Sequence, residues 1–274
     1  MQYKLAFIGA GNMAEAIARS AISSGTLKPE QIIAADPSSD RRDIFASVGI
    51  HVTQSSADAA AQAEQIMFAF KPQMMNDALA TFASSLSPKQ TVISIMAGIS
   101  AEKIHNAIIN LNPEAEGIKI VRVMPNTPIM VNRGMAGVSL GKNCSQGDDE
   151  FAYQLFNAAT NKAVRVTEEQ LHLITAISGS GPAYIFFIAE ALQKTAQELG
   201  LPEHAHELVT QTILGSALLM DQSSDTPTEL RRKVTSPKGT TEAAINKMDS
   251  LGLSDVIKQG TVACHDRSIE LGNL

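Results

Sequence analysis

A glycine-rich turn near the start of the chain, directly after a short apolar run, limits most strongly what this sequence can fold into. The run covers residues 5–8 of a predicted strand at 3–8. The six residues that follow fit the pattern Gly-x-Gly-x-x-Ala: Gly9, Ala10, Gly11, Asn12, Met13 and Ala14. A turn of this kind closes a buried strand, opens a helix and leaves backbone N–H groups where a pyrophosphate can bind. The motif therefore predicts one half of a dinucleotide-binding fold.

The residues after this turn strengthen the interpretation, because a glycine pattern alone also occurs in ordinary tight turns. Residues 12–24 form an Ala-rich helical pattern, and residues 31–35 form a second apolar strand that ends at Asp36. Dinucleotide-binding folds place a carboxylate at this point, against the adenosine ribose. The order of strand, turn, helix, strand and acid favours a dinucleotide site over a plain turn.

Composition and charge argue against several other classes of protein. The net charge of −6 and the pI near 5.5 leave no broad basic surface, so we expect no nucleic-acid partner. The apolar stretch 173–189 is interrupted by Ser, Gly and Pro and is short for a bilayer span, so we expect no membrane segment. Removing residues 1–14 as a signal peptide would delete the glycine turn, and the two cysteines form no disulfide framework. We therefore expect a cytoplasmic protein.

A change of pattern near residue 167 divides the chain, whose 274 residues are enough for two domains. Short apolar runs first alternate with helical stretches, which predicts an α/β fold with an N-terminal Rossmann doubly wound parallel sheet. The remainder is all-helical. We expect a dinucleotide-binding Rossmann domain over 1–166 and a helical dimerisation and substrate domain over 167–274.

Apolar runs and turn residues place the individual elements. The further predicted strands are 50–53, 65–70, 91–95, 119–123, 137–140 and 162–166. The predicted helices are 101–111, 148–159, 168–177, 181–199, 203–222, 227–234, 240–250 and 253–271. We expect Ser100 to cap the first of these helices, with Lys103 and His105 exposed on it. Residues 182–191 are apolar on nearly every side, which predicts a homodimer or a higher homo-oligomer built from dimers.

Polar or small residues follow three of the predicted strands, at the sheet edge where such folds bind ligands. They are Lys71 and Pro72 after the fourth strand, Ala97 after the fifth and Asn126 after the sixth. Each could be an ordinary turn, but three rigid turns on one edge favour a cofactor-binding lip.

A polar bend at residues 235–241 leads into a late helix. Its hydroxyl groups and the free N–H groups of the helix start could bind a small anion such as a carboxylate. The alternative is a routine helix cap by Thr240 or Ser236. The histidines lack metal-ligand spacing, so we expect no metal site.

Five segments together resemble the pyrroline-5-carboxylate reductase family, in order and over almost the whole chain. They are IGAGNMA at 8–14, FAFKP at 68–72, MPNTP at 124–128, ISGSGPAY at 177–184 and TSPKGTTEA at 235–243. The resemblance implies reduction of 1-pyrroline-5-carboxylate to L-proline, the last step of proline biosynthesis, by hydride from NADPH or NADH. It also implies an active site between the cofactor lip and the late bend, with helices of two subunits contributing.

The resemblance further implies roles for individual residues. Pyrophosphate binding would fall to Gly9, Gly11, Asn12 and Met13, and the nicotinamide ribose side to Lys71, Pro72, Ala97 and Asn126. The substrate would bind Ser236, Gly239, Thr240 and Thr241. Because a cyclic imine is basic enough to be partly protonated, hydride attack needs orientation and a hydrogen bond more than a strong acid. We assign Thr241 as that orienting residue and proton relay.

Two positions depart from the family pattern. Lys238 stands where the family usually has the first glycine of SPGGTT, which excludes glycine-only backbone shapes or adds a cation near the anion site. Asp36 stands where many members have a hydroxyl residue. Its carboxylate favours the ribose diol of NAD over the phosphate of NADP, although Arg41 and Arg42 could offset it. The choice between NADH and NADPH stays open.

Two other functions are compatible with this fold. One is a reductase of another imine or of a β-hydroxyacid, although β-hydroxyacid dehydrogenases usually carry a catalytic lysine on the long interdomain helix. The corresponding helix here has no lysine before Lys194. The other is a non-catalytic protein that binds a nucleotide, which the polar residues at every proposed contact argue against.

Overall fold

The computed structural model describes residues 1–273 and contains one sheet of eight strands in the order β3-β2-β1-β4-β5-β6-β7-β8. The strands are β1 (Tyr3–Ile8), β2 (Ile32–Ala35), β3 (His51–Thr53), β4 (Ala63–Phe68), β5 (Thr91–Ser94), β6 (Lys119–Pro125), β7 (Ala136–Leu140) and β8 (Ala163–Arg165). The chain reverses its direction of travel across the sheet at β1, whose neighbours are β2 and β4. Ligands of open α/β sheets bind beside such a reversal.

Twelve α-helices accompany the strands within the described part of the chain. They are α1 (Asn12–Ser23), α2 (Ser39–Ala46), α3 (Ser56–Gln62), α4 (Met75–Phe82), α5 (Ala101–Leu111), α6 (Glu150–Thr160), α7 (Gln170–Ile174), α8 (Gly181–Glu198), α9 (Ala205–Gln222), α10 (Pro227–Lys233), α11 (Thr240–Ser250) and α12 (Leu253–Asn273). Short 3₁₀ turns lie between several elements, and a π-helical turn, Thr175–Gly179, joins α7 to α8. The predicted break near residues 178–180 is therefore a wide helical turn.

Alternating side chains of the central strand show why the sheet is covered on both faces. Leu5 and Phe7 pack with Ile17 of α1 on one face, while Ala6 and Ile8 belong to the cluster on the other. Helices on both faces are the arrangement that buried parallel strands require. The predicted doubly wound Rossmann sheet is confirmed.

One strand runs against the predicted direction. β7 pairs with β6 in an antiparallel register, Met124 opposite Gly137, whereas the sequence was interpreted as continuing the parallel order. The link between them, residues 126–135, holds only a 3₁₀ turn. A parallel pair needs a crossover of about a dozen residues or more, usually a helix, so this short link permits only an antiparallel return.

The helix α5 confirms one prediction and corrects another. The Ser100 hydroxyl accepts a hydrogen bond from the Lys103 backbone N–H at 3.1 Å, as expected of a cap. His105, however, is buried, and its Nε2 lies 2.7 Å from the Glu116 carbonyl oxygen. His105 shares its helix face with the buried Ala101, Ile104 and Ile108, which turn that face into the core.

The chain divides into two compact units. The first is Met1–Ser180 together with the chain from Cys264 onwards, and the second is Gly181–Ala263, which consists of helices and the turns between them. On α8, Phe186 and Phe187 are 62% and 73% exposed in the single chain. By length and composition alone, the helical stretch Gln170–Glu198 could cross a membrane. An exposed apolar face of this kind usually marks a surface that contacts another protein or a membrane.

Candidate active site

The glycine turn after β1 is shaped by a close approach of its backbone to the backbone that follows β4. Gly9 has φ +97°, and a Cβ built there would lie 2.9 Å from the carbonyl oxygen of Ala69. Ala69 also donates its N–H to the Ile8 carbonyl at 2.9 Å. Only glycine fits this position, because both its conformation and its neighbour exclude a side chain.

The start of α1 has the features of an anion site. Gly11 is its N-cap residue in extended backbone conformation, with no side chain capping the helix. A Cβ on Gly11 would meet nothing within 4 Å. Gly11 and Asn12 are exposed and Met13 is half-buried, so free N–H groups face open space that a pyrophosphate can enter. These residues fit a dinucleotide.

Asp36 is held against the glycine turn. Its Oδ2 accepts a hydrogen bond from the Ala10 N–H at 2.8 Å, and its Oδ1 accepts one from the Ser38 N–H at 2.9 Å. The carboxylate therefore fixes the shape of the turn, and its expected contact with a ribose stays a prediction. Sequence reasoning did not predict the contact with Ala10, which joins residues 26 positions apart.

Two arginines near Asp36, Arg41 and Arg42, also make hydrogen bonds within the protein. The Nε of Arg41 donates to the Ala10 carbonyl at 2.5 Å, and its Nη2 donates to Glu15 Oε2 at 2.9 Å. The Nη1 of Arg42 donates to the backbone carbonyl of Asp36 at 2.7 Å. The second arginine thus lies beside the acid whose charge it could offset.

Glu15, in the first turn of α1, balances the charge of Arg41. Burial acts to raise its pKa, but hydrogen bonds and charge interactions with Arg19 and Arg41 outweigh this and hold the pKa of Glu15 below its ordinary value. The carboxylate is therefore ionised at neutral pH. Because Arg41 is paired in this way, Arg42 is the better placed of the two to offset Asp36.

The other predicted cofactor residues follow parallel strands at the same edge. Lys71 is exposed, Pro72 opens the 3₁₀ turn before α4, and Ala97 is half-buried in the loop after β5. β1, β4, β5 and β6 run parallel, so their carboxyl ends lie together with the glycine turn. The structure thus brings these residues to one lip.

Asn126 uses its amide inside the protein. Its Nδ2 donates to the carbonyl and hydroxyl oxygens of Ser178 at 3.1 and 3.2 Å, and its Oδ1 accepts from the Met135 N–H at 2.8 Å. The side chain is 8% exposed. It braces the end of β6 against the π-helical turn, and its implied contact with the cofactor stays a prediction.

The loop that carries Ala97 is packed against the end of α12. Gly98 has φ +78°, and a Cβ there would lie 2.9 Å from the Leu271 Cβ. A Cβ on Gly272 would lie 2.5 Å from the Gly98 carbonyl oxygen. Neither contact was visible in the sequence, since the partners are far apart along the chain.

Replacing Gly272 by alanine is expected to displace this loop and to raise the KM for NAD(P)H by roughly fivefold, since small misplacements of positioning groups are costly. Gly260→Ala is the matched control, because a Cβ at Gly260 of the same helix meets nothing within 4 Å. Steady-state kinetics with both variants checks this. An unchanged cofactor KM in Gly272→Ala would contradict it.

The bend before α11 is a tight turn. The Gly239 N–H donates to the Ser236 carbonyl at 3.0 Å, and a Cβ on Gly239 would lie 2.9 Å from that oxygen. Gly239 is the N-cap residue and no side chain caps α11, so the alternative that Thr240 or Ser236 caps it is wrong. Within residues 1–273, the hydroxyls of Ser236, Thr240 and Thr241 have no hydrogen-bond partner. They remain available to a ligand.

Metal ligands do not gather anywhere in the described chain: residues 1–273 contain no group of three or more His, Cys, Asp and Glu side chains that could hold an ion. Both cysteines, Cys144 and Cys264, are free thiols. The polar chemistry available at the site is therefore that of backbone N–H groups, hydroxyls and single charged side chains.

Comparison with known proteins identifies the family. A model described as pyrroline-5-carboxylate reductase dimerisation matches residues 168–271, and one described as NADP oxidoreductase coenzyme F420-dependent matches residues 4–98. A curated pyrroline-5-carboxylate reductase of Haemophilus influenzae is 40% identical over 277 residues, covering 100% of each chain. The chain belongs to the pyrroline-5-carboxylate reductase family.

Solved structures of pyrroline-5-carboxylate reductases have the same fold. The Coxiella burnetii enzyme matches with a TM-score of 0.86 and 34% identity over 99% of each chain. A Plasmodium falciparum pyrroline carboxylate reductase with NADP bound matches with a TM-score of 0.85 and 27% identity, again over 99% of each chain. The predicted family, and the fold of a Rossmann domain followed by a helical dimerisation domain, are confirmed.

Proposed function

We propose that this protein reduces 1-pyrroline-5-carboxylate to L-proline with NADPH or NADH, the last step of proline biosynthesis. The observation that carries the proposal is the full-length relation to a pyrroline-5-carboxylate reductase, at 40% identity. The exposed start of α1 and the unpaired hydroxyls around α11 supply the two kinds of binding group that the reaction needs.

The cofactor side of the reaction rests on the glycine turn and the strand ends. Backbone N–H groups of Gly11, Asn12 and Met13 bind the pyrophosphate. Gly9, whose own N–H donates to the Ala35 carbonyl at 2.9 Å, contributes by letting the turn close beneath it. The nicotinamide ribose side falls to Lys71, Pro72, Ala97 and Asn126. When bound, NAD(P)H supplies the hydride for the C=N carbon of the substrate.

The substrate side rests on the turn before α11. Ser236 and Thr240 bind the carboxylate through their hydroxyls and the free N–H groups at the positive end of the helix. Gly239, whose N–H donates to the Ser236 carbonyl, contributes by keeping the turn tight. The Thr241 hydroxyl hydrogen-bonds the ring nitrogen. As the carbon takes up hydride, the electron pair of the C=N bond moves to that nitrogen, which carries a proton, and the product is the secondary amine. Thr241 orients this nitrogen and relays its proton.

Asp36 is the residue that we expect to set the cofactor preference. Replacing Asp36 by asparagine removes a negative charge that repels the extra phosphate of NADPH but retains an acceptor for the Ala10 N–H. The ratio of kcat/KM for NADPH to that for NADH is expected to rise about tenfold, the size of a modest charge interaction near a surface. Asp40→Asn, an exposed acid in the first turn of α2, is the control. Equal shifts in both variants would contradict the assignment.

Homo-oligomer formation accounts for the apolar surface of α8. The match to a dimerisation model over 168–271 includes this helix, and the single chain leaves Phe186 and Phe187 exposed. We propose a homodimer or a larger assembly of dimers, with a second copy rather than lipid covering the helix. The functional boundary stays at 166/167, which the start of that model at residue 168 supports.

We also propose that the protein is cytoplasmic and binds a small-molecule substrate but no nucleic acid. Two free thiols suit a reducing compartment, and the net charge of −6 disfavours a polyanionic partner.

The direct test is oxidation of NADPH and, separately, NADH by the purified protein in the presence of 1-pyrroline-5-carboxylate, followed by absorbance. Turnover with either cofactor is expected, with proline as product. No oxidation with either, under conditions in which the cofactor binds, would contradict the proposed substrate and favour another imine.

A further inference from the structure

The turn before α11 has the hydrogen bond and proline of a tight turn but not its usual glycine. Ser236 accepts from the Gly239 N–H at 3.0 Å, Pro237 occupies the second position, and Lys238 occupies the third with φ +58°. A turn with proline second and a positive φ third normally has Gly or Asn at that third place. Lys238 therefore keeps a glycine conformation without being glycine.

This conformation is unusual for the residue that adopts it. The other non-glycine residues with positive φ in the described chain are all asparagines, namely Asn132, Asn143 and Asn161. Asparagine tolerates the left-handed region because its short side chain bonds locally, whereas lysine has no such compensation. Something outside the Lys238 side chain must stabilise the turn.

Glu242 provides the contact that does so. Its Oε2 accepts a hydrogen bond from the Lys238 backbone N–H at 2.7 Å. The carboxylate lies in the first turn of α11, where the helix dipole also favours a negative charge. A hydrogen bond to an ionised acceptor is stronger than one between neutral groups. It fastens the third residue of the turn to the helix that follows.

The same turn holds the groups that are to bind the substrate. Gly239 closes the turn through its N–H bond to the Ser236 carbonyl at 3.0 Å, an oxygen that a Cβ on Gly239 would approach to 2.9 Å. A change in the Lys238 backbone would move Ser236 on one side and Thr240 and Thr241 on the other. The positions of the carboxylate-binding groups therefore depend on what holds Lys238.

We infer that Glu242 is a positioning residue for substrate binding. It holds Lys238 in the left-handed backbone conformation, which a lysine without this hydrogen bond would abandon. The inference rests on the proposed function, because it takes the turn as the substrate site. It explains how this chain tolerates lysine where its family usually has glycine. With glycine at position 238, the hydrogen bond from the backbone N–H of that residue to Glu242 would be dispensable.

A double-mutant cycle tests this dependence. Glu242→Ala in the natural background is expected to raise the KM for 1-pyrroline-5-carboxylate about tenfold, the cost of one charge-assisted hydrogen bond, with the KM for NAD(P)H unchanged. In a Lys238→Gly background, Glu242→Ala is expected to raise the KM for 1-pyrroline-5-carboxylate less than about threefold, because glycine adopts a positive φ unaided. Glu242→Gln, which keeps an acceptor, should restore a substrate KM close to that of the unmodified protein.

Glu207→Ala is the matched control, because Glu207 also lies in the first turn of a helix and is exposed. Equal rises in KM in the two backgrounds, or a KM that Glu242→Ala leaves unchanged, would overturn the inference. If the unmodified protein does not turn over 1-pyrroline-5-carboxylate at all, the proposed function fails instead. The two failures are thus distinguishable.

Discussion

Gly9→Ala is expected to weaken NAD(P)H binding roughly a hundredfold, as misplacement of positioning groups by about an ångström does. The added Cβ would lie 2.9 Å from the Ala69 carbonyl oxygen, so either the glycine turn or the end of β4 must shift. The shift would also break the hydrogen bond from Ala10 to Asp36. Binding titrations with each cofactor, alongside thermal unfolding at one protein concentration, measure the effect.

Two further glycines separate binding from stability. Gly25 has φ +74° with nothing within 4 Å, so Gly25→Ala carries the left-handed strain, about 1–2 kcal/mol, without the clash. The Gly25→Ala variant should unfold at a lower temperature than the unmodified protein, yet bind the cofactor normally. Gly11→Ala has neither strain nor clash and should fold normally while binding more weakly, since its methyl group enters the space for the pyrophosphate. Normal binding by both Gly9→Ala and Gly11→Ala would contradict the assigned site.

Thr241→Val is expected to lower kcat/KM for 1-pyrroline-5-carboxylate by about a hundredfold, in the range found when one well-placed hydrogen-bond donor is removed. The substitution keeps the shape of the side chain but removes the hydroxyl that we assign to the ring nitrogen. Cofactor affinity should not change. The loss should grow as pH rises, because the imine is then less protonated and depends more on a donor.

Two control variants distinguish loss of the catalytic hydroxyl from a general loss of folding. Thr241→Ser retains the hydroxyl and should keep most of the activity. Thr212→Val removes an exposed hydroxyl that bonds the Leu208 carbonyl on α9, and it should have no effect on kinetics. A Thr241→Val protein with full turnover at every pH would show that orientation comes from the backbone alone.

Sequence periodicity located most of the fold because the elements have strong local signals. The predicted helices 101–111 and 240–250 coincide with α5 and α11. The direction of β7 was not predictable from its apolar pattern, which is the same for either direction, and depended on the short link before it. The π-helical turn at Thr175–Gly179 was missed because Gly and Ser there read as a helix break.

Some features of the site were also predictable from local sequence, whereas others required the folded structure. The glycine turn was predicted because its spacing carries a backbone requirement, whereas the Ala10–Asp36 and Asn126–Ser178 contacts join distant residues and needed the fold. The contact of Lys238 with Glu242 spans only four residues. A lysine at a place that demands glycine, with an acid one helical turn later, was a signal that could have revealed it.

The most direct test of the central claim is to follow the hydride itself. The protein is incubated with 1-pyrroline-5-carboxylate and NADH or NADPH that carries deuterium at the transferable position of the nicotinamide, and the product is analysed by mass spectrometry. The account predicts L-proline with one deuterium on the ring carbon that was double-bonded to nitrogen. Unlabelled proline, or oxidised cofactor without proline, would contradict it.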